Sequence, residues 1–501
     1  MVYLKYVGIP KNNGGKIMSG IGYFGPKRKP GYEEQPSINP SFLKLRLPFY
    51  HYPIEYQDFI QGMILACVPL GITSIMQATM DFPIEVAVLM VLINNIFYLW
   101  HTSFGDPSVA GWITPGIPIY TAYYETFSKE VVGPTGVYIE RTQALIAAQL
   151  ILAVIFLVFG LTGLGTTFVE KIPTSITAGI LLGSGIASVE RIFNPAQPFV
   201  KDLPVSFLVS AALSLFLLFS KRAIAWRKRN KILAWIGGFG IVPGFIIGYI
   251  LGLITGEIKL DWSLVTKQVF IDMPFDRMIN EVSIFGVGMP SAIMFGSGFA
   301  VAIVAYIIVF GDFIVLKALI KQADEARPDE KLVVPIGRSH IICALRNFVQ
   351  GLFLPYPPFL GPQWTGGQAL VVNRYMHSTP EQEYTYWGGA TSIFWGMSFA
   401  LALNSIVQIM LPAKNIGLGL TLLIQGYLCS YLAMEMCENN VQRAIAGIMT
   451  GALIMANYVT LWRPIFGQYS AFFSAPAMGL LVGIILHVLV EREPSGEKKK
   501  K

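Results

Sequence analysis

The residues best able to do chemistry in this chain stand where charge and helix-breaking residues interrupt apolar sequence. Asp312 lies deep in an apolar run that begins near residue 291. A carboxylate there is costly unless it is paired or watered, so it reads as a site for a proton or a coupling cation. The other reading is structural, as a helix cap or hydrogen-bonding partner, since Lys317 follows within two turns and could snorkel to the surface. Two further segments, Asp106-Pro-Ser-Val-Ala-Gly-Trp-Ile-Thr-Pro-Gly116 and Tyr356-Pro-Pro-Phe-Leu-Gly-Pro-Gln-Trp-Thr-Gly-Gly367, break apolar sequence with Gly and Pro. Gly and Pro within a span free backbone N–H and C=O groups, which hydrocarbon tolerates only where they face protein or a watery cavity. The half-helices that result carry free N–H donors and partial positive charge at their N-terminal ends, which suits an anion or an acceptor-rich solute.

The candidate substrate-binding residues are therefore Thr114, Gly116 and Ile117 in the first segment and Gln363, Trp364, Thr365, Gly366 and Gln368 in the second, with Trp112 and Trp364 as walls. Each tryptophan could equally be a membrane-interface anchor. Asp312 is the candidate ion-coupling residue. Asp106 reads as a mouth residue, and His51, His101, His340, His377 and His487 as interfacial. Asn94, Asn95, Gln149, Asn404, Gln425 and Asn457 read as interhelical glue, and Gln77 as glue or a border of the site. The histidines and the four cysteines show no metal-ligand spacing, and no nucleophile elbow, HExxH pair or phosphate-cradling loop is present. No enzyme, cofactor or metal is implied.

These residues must be positioned by a membrane-embedded scaffold. The chain has 501 residues, 53% hydrophobic and 13% charged, with mean hydropathy +0.55, against about 25% charged in soluble domains. The runs Thr142–Val169 and Tyr384–Ala413 hold no charge and exceed the roughly 20 residues that span a bilayer. Net charge is +7, yet the basic residues sit in short connections and at the ends rather than on one face, which excludes a nucleic-acid partner. They read instead as topology signals. Residues 1–50 hold eight Lys or Arg against two Glu, Lys221–Lys231 is densely basic, and the chain ends in four lysines. These collect on the cytoplasmic side, with both termini there, while Glu257–Glu281, with five acids and three bases, falls opposite. The polar first 50 residues do not read as a cleavable signal peptide.

The expected fold is an all-α polytopic membrane protein with 14 transmembrane segments, arranged as 7+7 inverted repeats with core and gate domains. Spans are expected near 57–80, 83–101, 143–165, 174–192, 203–220 and 232–254, then 291–318, 338–354, 387–411, 416–437, 441–461 and 472–490, with broken third and tenth spans at 107–126 and 356–373. The expected domains are an arm at 1–55, a first repeat at 56–256, an extracytoplasmic connection at 257–290, a second repeat at 291–491 and a basic tail at 492–501. The two broken segments match in order, and a second shared pattern follows each: Ile172-Pro173 with Gly179 and Gly183, and Leu411-Pro412 with Gly417 and Gly419. An odd number of spans per repeat inverts the second copy, the plan of many secondary transporters.

Gly351-Leu-Phe353, Tyr356-Pro357 and Gln363-Trp-Thr-Gly366 before an apolar helix resemble the tenth-span region of the uracil/xanthine permeases, the nucleobase:cation symporter-2 family. Gly311-Asp-Phe313 resembles that family's eighth-span Gly-Asp-Tyr/Phe, and Ile172-Pro173 to Gly183 its fifth-span opening. The resemblance covers roughly residues 55–490. It implies a fold shared with sulfate permeases and bicarbonate transporters, a substrate site at Gln363 and Gly366, alternating access, and a homodimer through the gate domain. Ile308 stands where those permeases typically carry an acid, and Trp364 where they usually carry Asn. Both departures weigh against a uracil or xanthine site, because an unpaired polar edge is costly when buried.

The function expected is a secondary active transporter in the plasma or inner membrane. It would move a small polar or anionic solute and couple to H+ or Na+. A nucleobase symporter is the alternative, and an anion channel or a non-transporting membrane scaffold the reading from another class.

Overall fold

The structure, a computed structural model, describes residues 24–29, 31–38, 42–230, 233, 236, 239–454 and 458–492. Asn457, the lysine tail and the arm before residue 24 lie outside the described residues. The first half carries α1 (Tyr56–Met80), α2 (Ile84–Ser103), β1 (Gly111–Trp112), α3 (Ile117–Tyr124), α4 (Ile139–Thr162), α5 (Thr174–Phe193), α6 (Pro204–Phe219) and α7 (Val242–Thr255). The second carries α8 (Ala292–Ala326), α9 (Ile336–Phe353), β2 (Leu360–Gly361), α10 (Thr365–His377), α11 (Tyr386–Ala402), α12 (Asn404–Met436), α13 (Asn440–Ile454) and α14 (Ala475–Leu486). Among the described residues 6 helices are long and apolar enough to cross a membrane, or up to 8 if each bent pair is one span. The chain is an integral, multi-pass membrane protein.

Local sequence explains where these helices start and stop. Pro83 and Pro173 immediately precede α2 and α5, and Pro204 opens α6, positions where a missing N–H costs nothing. Gly163 and Gly256 end α4 and α7 in the left-handed region, at φ 69° and 77°, where glycine carries no Cβ penalty. Ser291 accepts a hydrogen bond from the Met294 N–H at the start of α8, and Thr385 does the same for Trp387 at α11.

Two of the expected boundaries that move bear on the site and its frame. The helix holding Asp312 does not end near 318 but continues to Ala326. Lys317 is thus mid-helix and exposed, and among the described residues it makes no ion pair with Asp312. The apolar run 387–411 is not one span, because Leu403 is extended (φ −88°, ψ 114°). The residues after it join α12. The connection from Glu257 explains the break: Phe270 bridges Leu403, Asn404 N–H donates to the Val269 carbonyl at 3.0 Å, and Asn404 Nδ2 donates to the Leu264 carbonyl at 2.8 Å.

Helix packing sorts into two groups. In one, α4 packs on α8 and α9, and α11 packs on α1 and α2. These contacts exchange if the halves are superposed in order, as a two-fold relation between repeats requires. In the other, α5 packs on α12 and α13, α6 on α7 and α12, and α13 on α14. The described part of the N-terminal arm straps the first group. Arg28 pairs with Asp329 at 3.2 Å, Tyr32 Oη donates to Asp324 at 2.6 Å, and the buried Arg46 lies 4.1 Å from the Trp387 ring centroid.

Candidate functional site

The two broken segments meet at the centre of the first helix group. β1 and β2 pair antiparallel, Gly111 opposite Gly361 and Trp112 opposite Leu360, and Ile113 N–H donates to the Phe359 carbonyl at 2.8 Å. Antiparallel pairing means that the two segments run through the crossing in opposite directions, as an inverted repeat demands. Glycine at 111 is enforced by packing: a Cβ there would stand 2.7 Å from Trp364 Cβ and 2.8 Å from its Cα and N. The crossing also satisfies backbone groups that hydrocarbon would leave orphaned.

The half-helices leaving the crossing are unequal. In α3 the donors are spent or missing, since Pro115 and Pro118 have no N–H, Gly116 N–H bonds Ile113 O at 3.1 Å, and Ile117 N–H bonds Thr114 O. The N-terminus of α10 is open. Its first intrahelical bond is Gln368 N–H to Trp364 O at 2.8 Å, and no side chain caps it, so Thr365, Gly366 and Gly367 carry the orphan N–H groups of a helix start. The Trp364 indole folds back over these residues. A Cβ on Gly367 would lie 2.4 Å from that ring and one on Gly366 3.3 Å from its Nε1.

This open end faces a cavity of about 190 Å3 between the two helix groups. Trp364, Thr365, Gly366, Gly311 and Asp312 line it, with Pro115 and Ile308 beside them and Thr421 and Gln425 of α12 opposite. Of the sequence-predicted residues, the cavity therefore gathers Trp364, Thr365, Gly366 and Asp312. Thr114, Gly116, Ile117, Gln363 and Gln368 are buried around the crossing and do not line it. Gln363 Nε2 donates to Thr365 Oγ1 at 3.3 Å, while its Oε1 has no partner among the described residues. Gln368 is committed to structure: its Oε1 accepts the Val109 N–H at 2.7 Å and its Nε2 donates to the Tyr386 hydroxyl.

Asp312 makes no hydrogen bond or ion pair to any described residue. Its Oδ2 lies 3.9 Å from where a Cβ on Gly361 would stand, so the carboxylate adjoins the crossing as well as the cavity.

Behind the crossing is a buried network that sequence reasoning missed. Arg346 of α9 is fully buried. Its Nη1 donates to His101 Nε2 at 2.8 Å and to the Gly361 carbonyl at 3.2 Å, and its Nη2 to the Gly111 carbonyl at 3.5 Å. His101 Nδ1 lies 2.7 Å from Asp106 Oδ2, which also accepts from Ser108 Oγ at 2.9 Å. His101 and Asp106 are thus neither interfacial nor at a mouth; both are 0% exposed, because the arginine and the turn after α2 recruit them inward. His340 is likewise buried, 3.0 Å from the Tyr306 hydroxyl. An arginine inside an apolar span was the available signal.

Other polar residues hold helices together. Gln350 Nε2 donates to Asn94 Oδ1 at 2.9 Å between α9 and α2, Gln149 Oε1 accepts the Tyr356 N–H at 3.3 Å, and Lys414 Nζ donates to Gln77 Oε1 at 3.0 Å between α12 and α1. Asn95 bonds within its own helix, and Gln425 lines the cavity instead. Beyond the spans, in the connection from α10 to α11, Glu383 is pushed up to about 7 by burial, against the pull of Arg374 and Arg327.

No family model and no curated protein matches the chain, so the likeness to uracil/xanthine permeases rests on the motif residues alone. Among solved structures, the transmembrane domain of a cyanobacterium bicarbonate transporter, BicA, matches with TM-score 0.43 at 13% identity, covering 86% of this chain and 97% of that one. Murine Slc26a9, an anion transporter captured in its inward-facing state, matches with TM-score 0.47 at 12% identity, covering 87% of this chain and 68% of that one.

Proposed function

We propose that this protein is a secondary transporter that carries a small anionic solute through the cavity between its two helix groups. The observation that carries the reading is the uncapped N-terminus of α10 opening onto that cavity. Orphan N–H groups at Thr365, Gly366 and Gly367, together with the helix dipole, favour negative charge there. Thr365 adds a hydroxyl donor, and Trp364 limits the size of what can approach. The two helix groups act as core (spans one to four and eight to eleven) and gate (five to seven and twelve to fourteen) in a 7+7 arrangement over 56–256 and 291–491. Rigid-body movement of the core exposes the site to each side in turn.

Asp312 serves as the coupling residue. Charged, it repels an anion at the neighbouring helix end; neutralised by H+ or Na+, it permits one. Anion and coupling ion therefore enter together, which is symport. Both termini are cytoplasmic, and a gate-mediated homodimer is compatible with the exposed apolar faces of α7 and α14. A nucleobase would need paired polar groups, yet Gln363 does not line the cavity and Ile308 faces it. Binding of sulfate, a dicarboxylate, uracil and xanthine to the purified protein tests the reading. Saturable binding of sulfate or the dicarboxylate is expected; saturable nucleobase binding abolished by Gln363→Ala would overturn it.

A further inference from the structure

We infer that Arg346, buried behind the crossing, is the fixed positive charge by which this site selects anions, an inference that rests on the anionic reading above. Its position is specific. The guanidinium reaches the carbonyl oxygens of Gly361 and Gly111 at 3.2 and 3.5 Å, which are the two residues paired across the crossing. It therefore sits on the strand that leads directly into the open end of α10.

Its charge is not cancelled by contact. Among the described residues no carboxylate lies within ion-pair distance of Arg346; the Tyr98 ring lies 4.7 Å from the guanidinium carbon, and His101 accepts from it. The Nε has no hydrogen-bond partner among the described residues. His101 is held neutral by the bonds on its two nitrogens. Arg346 can only donate, so His101 Nε2 must accept, and Nδ1 must then carry the proton and donate to Asp106. A doubly protonated imidazole would point an N–H at the guanidinium 2.8 Å away. Asp106 is thus a counter-charge one imidazole removed, and Ser108 Oγ donates to the same carboxylate oxygen. In a low-dielectric interior a charge separated from its counter-ion acts over distances that water would screen. Of that separated pair it is Arg346 that reaches the carbonyls of the two strands at the crossing.

The guanidinium does not line the cavity, so Arg346 acts as a positioning and field residue and not as a direct ligand. This separates two roles that substitution can tell apart. Arg346→Lys keeps the charge but loses the fork that reaches both carbonyls, whereas Arg346→Gln keeps a donor and loses the charge. Asp106→Asn keeps the acceptor for His101 and removes the counter-charge.

The test is the dissociation constant for sulfate, and separately for bicarbonate, of the full-length purified protein at fixed ionic strength, with the unliganded melting temperature reporting the fold. Arg346→Gln is expected to weaken binding about tenfold or more, Arg346→Lys to stay within about threefold of wild type, and Asp106→Asn to bind tighter. Equal losses in both Arg346 variants would assign the residue to holding the strands alone and overturn the inference, as would wild-type affinity in Arg346→Gln. If the Arg346 variants do not fold, Asp106→Asn decides: tighter binding supports the field, and unchanged or weaker binding overturns it. A wild-type protein that binds neither ion overturns the anionic reading itself, and this inference with it.

Discussion

Gly111 and Gly361 stand opposite one another in an antiparallel pair where the two broken segments cross, one lying against Trp364 and the other beside Asp312. Everything assigned to the site is built on that pair, because it fixes where α10 begins and what its first turn faces.

Gly111→Ala puts a methyl within 2.8 Å of Trp364 backbone atoms, which cannot rotate away. Overpacking of this kind costs about 1–3 kcal/mol, so the variant should melt earlier and transport less. Gly311→Ala is the control: among the described residues nothing beyond its own helix backbone and chain neighbours lies within 4 Å of its Cβ position, and it faces the cavity. It should melt like wild type while binding solute more weakly. Melting curves and binding isotherms on both proteins check the contrast.

Trp364→Ala should uncover the first turn of α10 and widen the range of accepted solutes. The expected outcome is a dicarboxylate that gains on sulfate by about tenfold in competition, a change of roughly 1.4 kcal/mol in relative affinity. An unchanged preference would remove Trp364 from the site.

Asp312→Asn should reduce gradient-driven uptake more than solute exchange, since exchange returns the carrier loaded and does not need the coupling ion to leave. Parallel assays in proteoliposomes separate the two. Unchanged proton- and sodium-driven uptake would return Asp312 to a structural role.

Much of this was legible in the sequence, and the reasons are physical. The Gly/Pro breaks at 107–126 and 356–373 located the crossing, because such residues inside a span force backbone groups to find partners. The approximate ends of α1, α2 and α5 followed from the lengths of their apolar runs. The kink at Leu403 was not legible, because its cause is a distant connection, 257–281, that pairs with it. The Arg346–His101–Asp106 chain was missed for a similar reason: its members are far apart in sequence and converge only when α2 and α9 pack. The inequality of the two half-helices could have been read from Pro115 and Pro118, which remove donors that α10 keeps.

Outside the spans, Glu383 predicts a pH dependence. Burial raises its folded value from the ordinary 4.5 to about 7, with Glu55 and Glu330 adding to the rise and Arg374 and Arg327 opposing it. A raised acid binds its proton more tightly when folded, so stability should fall as pH rises from about 4.5 to about 7 and level off above. Glu383→Gln should flatten that slope and melt higher than wild type at pH 8. Melting temperature against pH for both proteins checks the sign; a slope that persists in the variant would place the titration elsewhere.

The most direct measurement is initial-rate uptake of labelled sulfate and labelled uracil into proteoliposomes by wild type and by Gly366→Val, a side chain built into the open end of α10. A carrier with its anion site at that helix start predicts saturable sulfate uptake by wild type, its loss in the folded variant, and no saturable uracil uptake. Sulfate uptake indifferent to Gly366→Val, or an ohmic current in place of saturation, would contradict it.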